Sequence, residues 1–454
     1  MLNTNSEYLR SEIMDVIRAF GAEQEDFTHY FSCACGKFYN SIEYNGGFYD
    51  FEEEYGEEDE IVFKRLAKRS CKLAFYKVLS QFKGGLSWGA LTGIRPTKIA
   101  YMEKSAGRDF KELFKKLCVI DPNISLIERV LTAQQGIYEK GGQDLFVSLP
   151  FCPTKCEYCS FITAPIDKTR QYVDEYISCL IKEIHSVKPF LKNLRSIYIG
   201  GGTPFVLEPE QLTPIYAAIS DICGKNCEYT VEAGRPDVFT EEKLKISKDY
   251  GVNRICVNPQ SFNDKTLEAI GRKHTAAQTL KAYEMAQKYG FNINIDLIAG
   301  LAEETPQDFE YSLNKAIALN PANITVHTLS LKSGAKLKEN TKWLNVAGIN
   351  EMIMLSREKL TQAGYEPYYL YRQKYQAGGL ENVGWAKKGK ACVYNIDVME
   401  EISDNIAVGA NAISKRFYGD EDRIERYGSP KDLPTYIQKV DKIIAERNKL
   451  FSDI

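Results

Sequence analysis

Three cysteines, Cys152, Cys156 and Cys159, stand in the spacing C-x3-C-x2-C and constrain this chain more than any other stretch. A loop of this spacing can wrap three corners of one cubic iron–sulfur cluster, because soft thiolates suit iron in such centres. Three ligands for four irons leave one iron open, and an open iron can bind a small molecule and pass it an electron. Two other readings stand beside this one. A structural zinc site wants four ligands, often as two C-x2-C pairs, and the next pair, Cys223 and Cys227, has x3 spacing. Plain buried thiols are the third reading. A disulfide framework suits a small secreted chain, which a chain of 454 residues is not.

At that length two or three domains are expected. The balance of 44% hydrophobic and 26% charged residues is that of a globular protein. A net charge of -3 gives no basis for bulk nucleic-acid binding or attraction to an anionic membrane. The stretch from Met1 to Arg18 lacks the apolar centre of a signal peptide, and no apolar run is long enough to span a bilayer. Twelve cysteines without an export signal point to free thiols in a reducing cytoplasm. Tyrosine is abundant and gathers between Tyr365 and Tyr375, but that enrichment alone names no ligand.

Residues 1–140 read as an α+β accessory domain. An amphipathic helix is predicted over Ser6 to Phe20, with short strands near 27–30, 37–39 and 47–51. Cys33 and Cys35 read as a turn and the acidic run Glu52 to Glu60 as a solvated loop. Helices follow over 61–82, 110–117 and 124–139, and Gly141-Gly142 makes the boundary. From Asp144 the pattern alternates. Apolar strands are predicted at 145–149, 196–199, 229–232, 254–258, 292–298 and 324–329, with helices between them. Such alternation gives a parallel sheet, and right-handed crossovers curl it towards a barrel. The expected architecture is therefore α/β, a partial (β/α)6 TIM-like barrel over 141–370. A helical extension is expected over 371–454.

Sites in such barrels lie at the C-terminal ends of the strands, and the cysteine loop follows the first strand. The same rule selects further candidates. Gly200, Gly201 and Gly202 with Thr203 follow the second strand, where glycines let a ligand approach the backbone; a plain tight turn is the competing reading. Glu232 ends the third strand and could hold an ammonium group. Gln260 ends the fourth. Arg272 lies beyond it and could fork onto a carboxylate. Asp296 lies in the fifth strand, suited to ribose hydroxyls.

The cysteine loop resembles that of radical S-adenosylmethionine (SAM) enzymes. There the open iron chelates SAM, and its reductive cleavage gives a 5′-deoxyadenosyl radical. Several further stretches resemble the oxygen-independent coproporphyrinogen III oxidase family. They are Pro150-Phe151-Cys152, Cys159-Ser160-Phe161, Gly200 to Pro204, Gln260-Ser261-Phe262, Gly271 to His274, Asp296 to Leu301 with Glu304-Thr305, and Gly409-Ala410. The Leu91 to Lys98 segment and Leu380 to Trp385 resemble the HemZ-type branch, coproporphyrinogen dehydrogenase. The resemblance implies one [4Fe–4S] cluster on Cys152, Cys156 and Cys159, and SAM as cofactor. It assigns Gly201 and Glu232, with Gly200 beside them, to the cluster-bound SAM. Tyr158, Gly202, Thr203, Gln260, Arg272, Asp296 and Ser330 are assigned to the adenosine or second-SAM region. The implied partners are a porphyrinogen or haem substrate and a reduced flavodoxin- or ferredoxin-type electron donor. Neither nucleic acid nor a membrane span is implied, and the chain is expected to be a monomer.

The implied reaction is oxidative decarboxylation of coproporphyrinogen III to protoporphyrinogen IX. The alternatives are a haem-binding chaperone of the same family and radical chemistry on haem itself. Two stretches depart from the family. The oxidases read Y-x-H-I-P-F-C before the cluster, where this chain has Phe146 and Ser148 for the Tyr and His. The haem chaperones carry H-N-x-x-Y-W, where this chain has Glu381-Asn382-Val383-Gly384-Trp385-Ala386. The N-terminal region is expected to border the substrate entrance, with Arg95 meeting a substrate carboxylate; an independent module with Arg95 at a helix start is the competing reading.

Overall fold

The structure is a computed structural model, and it describes all residues except 57–58, 94, 160–163, 223–226, 331–345, 374–378, 420–422 and 453–454. Ile94, Ser160, Phe161, Cys223 and Tyr375, named above, lie outside the described residues. The chain divides into two compact units, Met1–Arg129 with Tyr371–Glu381, and Val130–Leu370 with Asn382–Ile454.

The first unit carries a four-stranded sheet: β1 (Leu2–Thr4), β2 (Phe27–Ala34), β3 (Lys37–Tyr44) and β4 (Gly47–Glu54), paired in that order. The β2–β3 hairpin turns at Cys35 and Gly36, both in left-handed conformation (φ 51 and 72). That twist matches the flanking strands. The long helix Glu60–Lys83 starts where the Asp59 side chain accepts from the Ile61 and Val62 amides, and it stops at Gly84. Its buried positions Ala67, Cys71, Ala74, Phe75 and Val78 recur every three or four residues. This is the apolar stripe a helix needs to cover a sheet. Polar contacts fix the seat: Asn40 Nδ2 donates to Ser70 Oγ at 3.1 Å and meets His29 Nε2 through Oδ1 at 3.1 Å.

The second unit is built on one sheet. Its strands are β5 (Gln143–Leu149), β8 (Leu194–Gly201), β9 (Glu228–Gly234), β10 (Arg254–Gln260), β11 (Asn292–Ala299) and β12 (Asn323–Thr328). They lie side by side in chain order, all parallel. Between β5 and β8 the cysteine loop carries a short pair, β6 (Phe151–Cys152) and β7 (Ala164–Pro165). Crossover helices begin with sequence-encoded caps. Glu208 with Gln211, Thr275 with Gln278 and Thr305 with Asp308 each form a reciprocal capping box.

Two features differ from the sequence expectation. The segment 371–454, expected to be helical, carries the helices Val393–Glu400, Leu433–Gln438 and Val440–Leu450 but also supplies four strands: β14 (Glu381–Ala386), β15 (Asp404–Val408), β16 (Ile413–Phe417) and β17 (Ile424–Gly428). β14 runs antiparallel to β12, while β15 adds a seventh parallel strand beside β5. Their short runs of β-branched and aromatic residues pair better in a ladder than they pack as a helix. Further upstream, β13 (Glu366–Arg372) pairs with β14 at the sheet edge. The second difference is the boundary: the first unit closes inside the helix Asp121–Ala133, not at Gly141. Just beyond that helix, Gln134 Nε2 donates to the Tyr368 carbonyl and to Glu400, both at 3.0 Å. These bonds tie its end into the barrel unit.

The helix Val393–Glu400 closes the N-terminal ends of the strands. Glu228, the first residue of β9, accepts from the Val393 and Tyr394 amides at 3.0 and 3.2 Å, and Arg254, the first of β10, donates to Glu228 at 3.2 Å. A carboxylate on a helix N-terminus is a favourable charge–dipole contact. This plug leaves the opposite mouth, at the strand C-termini, as the working end.

Candidate functional site

Cys152 and Cys156 are buried and Cys159 is half-buried. The Cys159 amide donates to the Cys156 carbonyl at 3.1 Å, which curls the loop into a tight turn. The glycine run clamps this loop. Gly202 N donates to Leu149 O at 2.8 Å, Thr203 N to Phe151 O at 2.7 Å, and Thr203 Oγ1 to Cys152 Sγ at 3.5 Å. A Cβ on Gly202 would stand 2.4 Å from the Phe151 carbonyl oxygen, so a side chain here cannot coexist with the loop. Glycine is needed for close approach of two backbones.

A second clamp comes from the other side. Glu157 N donates to Ile270 O at 3.1 Å. Arg272 donates to Tyr158 Oη from Nη2 at 2.8 Å and from Nε at 3.2 Å, and also to the Asn258 carbonyl. Its guanidinium charge also lies in the field of the Cys156 thiol. The Tyr158 ring lies on the apolar cluster of Leu267, Ile270, Ile298, Leu301, Ala302 and Leu329. Arg272, expected to fork onto a ligand carboxylate, is therefore engaged with the cysteine loop here.

Burial pushes the Cys152 thiol up to about 11, against the Thr203 hydrogen bond, with Cys159 and Cys156 adding to the rise. The three sulfurs thus share one local field, and a cationic metal centre is what would draw their protons off. Among the described residues no three His, Cys, Asp or Glu side chains are arranged to hold a single metal ion. A cubane asks for a different arrangement, each thiolate on its own iron, and three soft donors on one clamped loop fit it.

The barrel interior carries a second set of groups. In strands that are otherwise almost wholly buried, one mid-strand or late residue per strand is half-exposed: Phe146, Tyr198, Glu232, Asp296 and His327. These side chains share the inner face of the sheet, the lumen side. Near the closed end, Tyr198 stacks on Tyr394 with centroids 4.5 Å apart, and Phe146 stacks on both. Above them Glu232 accepts from Asn258 Nδ2 at 3.3 Å. Burial, with the nearby Asp296 charge, raises the Glu232 carboxyl to about 8, so it holds its proton at neutral pH. Asp296 behaves oppositely. Burial would raise it, but hydrogen bonding and charge from His327, with bonds from Asn294 and Thr325, pull it below its ordinary value. Asn294 Nδ2 donates to Asp296 at 2.7 Å, and His327 Nε2 stands 3.8 Å from Asp296 Oδ2.

Gln260 ends β10 with φ 70, a left-handed conformation costly for a residue with a Cβ. Its Oε1 and the Asn258 Oδ1 are buried without a hydrogen-bond partner. Buried acceptors left open are uncommon, and they fit a polar ligand such as SAM. Ser330 follows β12 and is half-buried. His327, Asn258 and Asn294 were not singled out from the sequence. The signal available was their offset of two from another candidate or a strand end, the spacing that returns a side chain to the same face.

Both departures from the family are absorbed into packing. Ser148 Oγ donates to the Ala410 carbonyl at 2.7 Å, and Tyr176 Oη donates to the Ser148 carbonyl at 2.7 Å. A Cβ on Gly201 would lie 2.9 Å from Ser148 Oγ, and one on Gly409 only 3.0 Å from Ser148 Cβ. Ser148 is buried in this slot. Glu381 is fully buried and accepts from Trp88 Nε1 at 2.7 Å within the first unit. The guanidinium of Arg372 covers the Trp88 ring, with its carbon 5.2 Å from the centroid. Arg95 stands at the start of the helix Pro96–Ser105 and makes no side-chain cap bond there.

Residues 146–316 match the sequence profile described as the radical SAM superfamily. The oxygen-independent coproporphyrinogen-III oxidase-like protein HemZ of Bacillus subtilis (strain 168) is 37% identical over 389 residues, 81% of this chain and 77% of its own. The chain belongs to that family, within the radical SAM superfamily. The superfamily's cofactors are a [4Fe–4S] cluster and SAM. The heme chaperone HemW of the same organism is 33% identical over 260 residues, 55% of this chain and 65% of HemW. Coproporphyrinogen III oxidase (HemN) from Escherichia coli, a radical SAM enzyme, has TM-score 0.55 and 22% identity, covering 68% of this chain and 71% of its own. That likeness is one of fold: the parallel barrel strands are the shared frame. No helix among the described residues is long and apolar enough to cross a membrane.

Proposed function

We propose that this radical SAM chain acts on a porphyrin-type substrate, by oxidative decarboxylation of the coproporphyrinogen III propionates to vinyl groups. Cys152, Cys156 and Cys159 would hold the cluster. The Gly200–Gly202 run, Glu232, Asn258 and Gln260 would hold SAM. When bound, these cofactors supply a 5′-deoxyadenosyl radical able to take hydrogen from the substrate. The chain's own work is different: Thr203 and Arg272 fix the loop, Glu232 and Gln260 offer polar contacts, and the ring of Phe146 and Tyr198 walls the lumen from water. The observation carrying this reading is the pairing of a clamped three-cysteine loop with a lumen whose buried acceptors, Asn258 Oδ1 and Gln260 Oε1, have no partner. A flavodoxin- or ferredoxin-type protein is the proposed electron source. The test is an anaerobic assay of reconstituted protein with coproporphyrinogen III, reductant and SAM, with products separated chromatographically. Protoporphyrinogen together with methionine and 5′-deoxyadenosine is expected. SAM cleavage without change in the porphyrinogen would sink the decarboxylation. Glu381, standing where the chaperones have His and buried against Trp88, weighs against the haem-carrier reading.

Glu232 yields a separate prediction. Free protein holds the Glu232 proton up to about pH 8. A SAM ammonium group beside it favours the carboxylate, so SAM binding at pH 7 should expel about one proton per chain and tighten as pH rises towards that value. Calorimetry in two buffers of different ionisation enthalpy measures the release. The same release in Glu232→Gln would remove Glu232 from the SAM site.

A further inference from the structure

The chain has four histidines. His29 is buried in the first unit, held by Asn40 and Thr4. His274 is buried in the loop after β10, and His185 is exposed near the end of the helix Val173–Val187. His327 alone of the four opens on the lumen, from the second-last position of β12. It stands beside Asp296, whose carboxyl is held below its ordinary range. Asp296, two strand positions away on the neighbouring strand, lies 3.8 Å from its Nε2 and is itself oriented by Asn294 at 2.7 Å. Asn294 is in turn fixed by Thr325, which donates to its Oδ1 at 3.3 Å.

This arrangement has a consequence for any acidic substrate. Asp296 would repel a carboxylate entering the lumen. Arg272 is committed to Tyr158 and the Asn258 carbonyl. The family position nearest the cluster that could supply an imidazole is Ser148, wedged against Gly201 and Gly409. His327, on the same face as Asp296, is placed to meet an incoming carboxylate. An imidazole protonated between two carboxylates donates from both ring nitrogens, one to each anion.

We propose that His327, seated by Asp296, receives a carboxylate of the substrate and so selects tetrapyrroles that keep their acidic side chains. The assignment rests on the porphyrin reading above and gives the lumen its specificity-determining residue. Neutralising or esterifying the acid removes the charge-assisted bond, a loss of roughly tenfold or more in affinity.

The experiment uses full-length, anaerobically reconstituted protein and two stable probes, coproporphyrin III and its tetramethyl ester, titrated by fluorescence. Wild type is expected to bind the acid at least roughly tenfold more tightly than the ester. His327→Gln should bring the two within about threefold of each other, chiefly by weakening the acid. Iron per chain serves as the folding check, and His327→Asn is the second variant should the first fail it. A variant that keeps the wild-type acid-to-ester ratio overturns the assignment. So does one that weakens both probes equally, since that is the signature of a packing role. Wild type binding both probes alike overturns the assignment while leaving the porphyrin reading standing. Wild type binding neither overturns both.

Discussion

Alanine at position 156 is expected to take reconstituted iron from about four per chain to well under one, with loss of the cluster's visible absorption and of methionine formation from SAM. The argument is local. Cys156 sits mid-loop, buried, between Cys152 on β6 and Cys159 one turn on. Two thiolates on a loop cannot retain a cubane against water and chelators as three do. The substitution should leave the protein fold intact. Arg272 keeps Tyr158 and the Asn258 carbonyl, and the Gly202 and Thr203 bonds to Leu149 and Phe151 are backbone. Apo stability should therefore change by only about 1 kcal/mol, as for one hydrogen bond. Cys33→Ser, an exposed thiol in the other unit, is the matched control and should keep its iron. Iron quantitation and absorption spectra decide it, and unchanged iron in Cys156→Ala would leave the thiols without the role given them here.

Why some of this was legible in sequence and some was not follows from geometry. Strands β5, β8, β9, β10, β11 and β12 are buried on both faces. They therefore announce themselves as apolar runs between loops, and their order follows from right-handed crossovers. The cysteine spacing was readable because one loop holds all three ligands. The lumen was harder. A strand buried on both faces does not alternate polar with apolar, so nothing in Asn323–Thr328 marks His327 as facing inward rather than packed in a core. The fate of Ser148 depends on Gly409 and Ala410, some 260 positions away in the chain (the hydrogen bond to Ala410 spans 262). No local pattern carries that. The plug helix Val393–Glu400 is similarly specified by Glu228 and Arg254 on distant strands. The strands after 400 are short and carry Ser, Lys and Arg beside Ile and Phe, and such strands are visible only once their partners are known.

Gly202→Ala should be strongly damaging for a single added methyl. Its backbone φ is not in the left-handed region, so alanine has no conformational objection there; the objection is space. The new Cβ would stand 2.4 Å from Phe151 O, 2.8 Å from Leu149 O and 2.8 Å from Pro150 C, all backbone atoms. A flexible side chain could swing away, but a backbone carbonyl moves only with its strand. The strand in question leads directly into Cys152, so relief of the overlap displaces the first cluster ligand. It also breaks the Gly202–Leu149 and Thr203–Phe151 hydrogen bonds and pulls Thr203 Oγ1 from the Cys152 sulfur. Overpacking of this kind costs about 1–3 kcal/mol, and the stiffness of the neighbours puts Gly202 at or above the top of that range. The expected results are a melting temperature several degrees lower and iron retention well below wild type after gel filtration. Gly428→Ala supplies the comparison: its Cβ would meet nothing within 4 Å, so stability and iron should both be unchanged. If Gly202→Ala melts and retains iron like Gly428→Ala, the glycine run does not clamp the cysteine loop, and its glycines would have to be explained by a ligand lying against them instead.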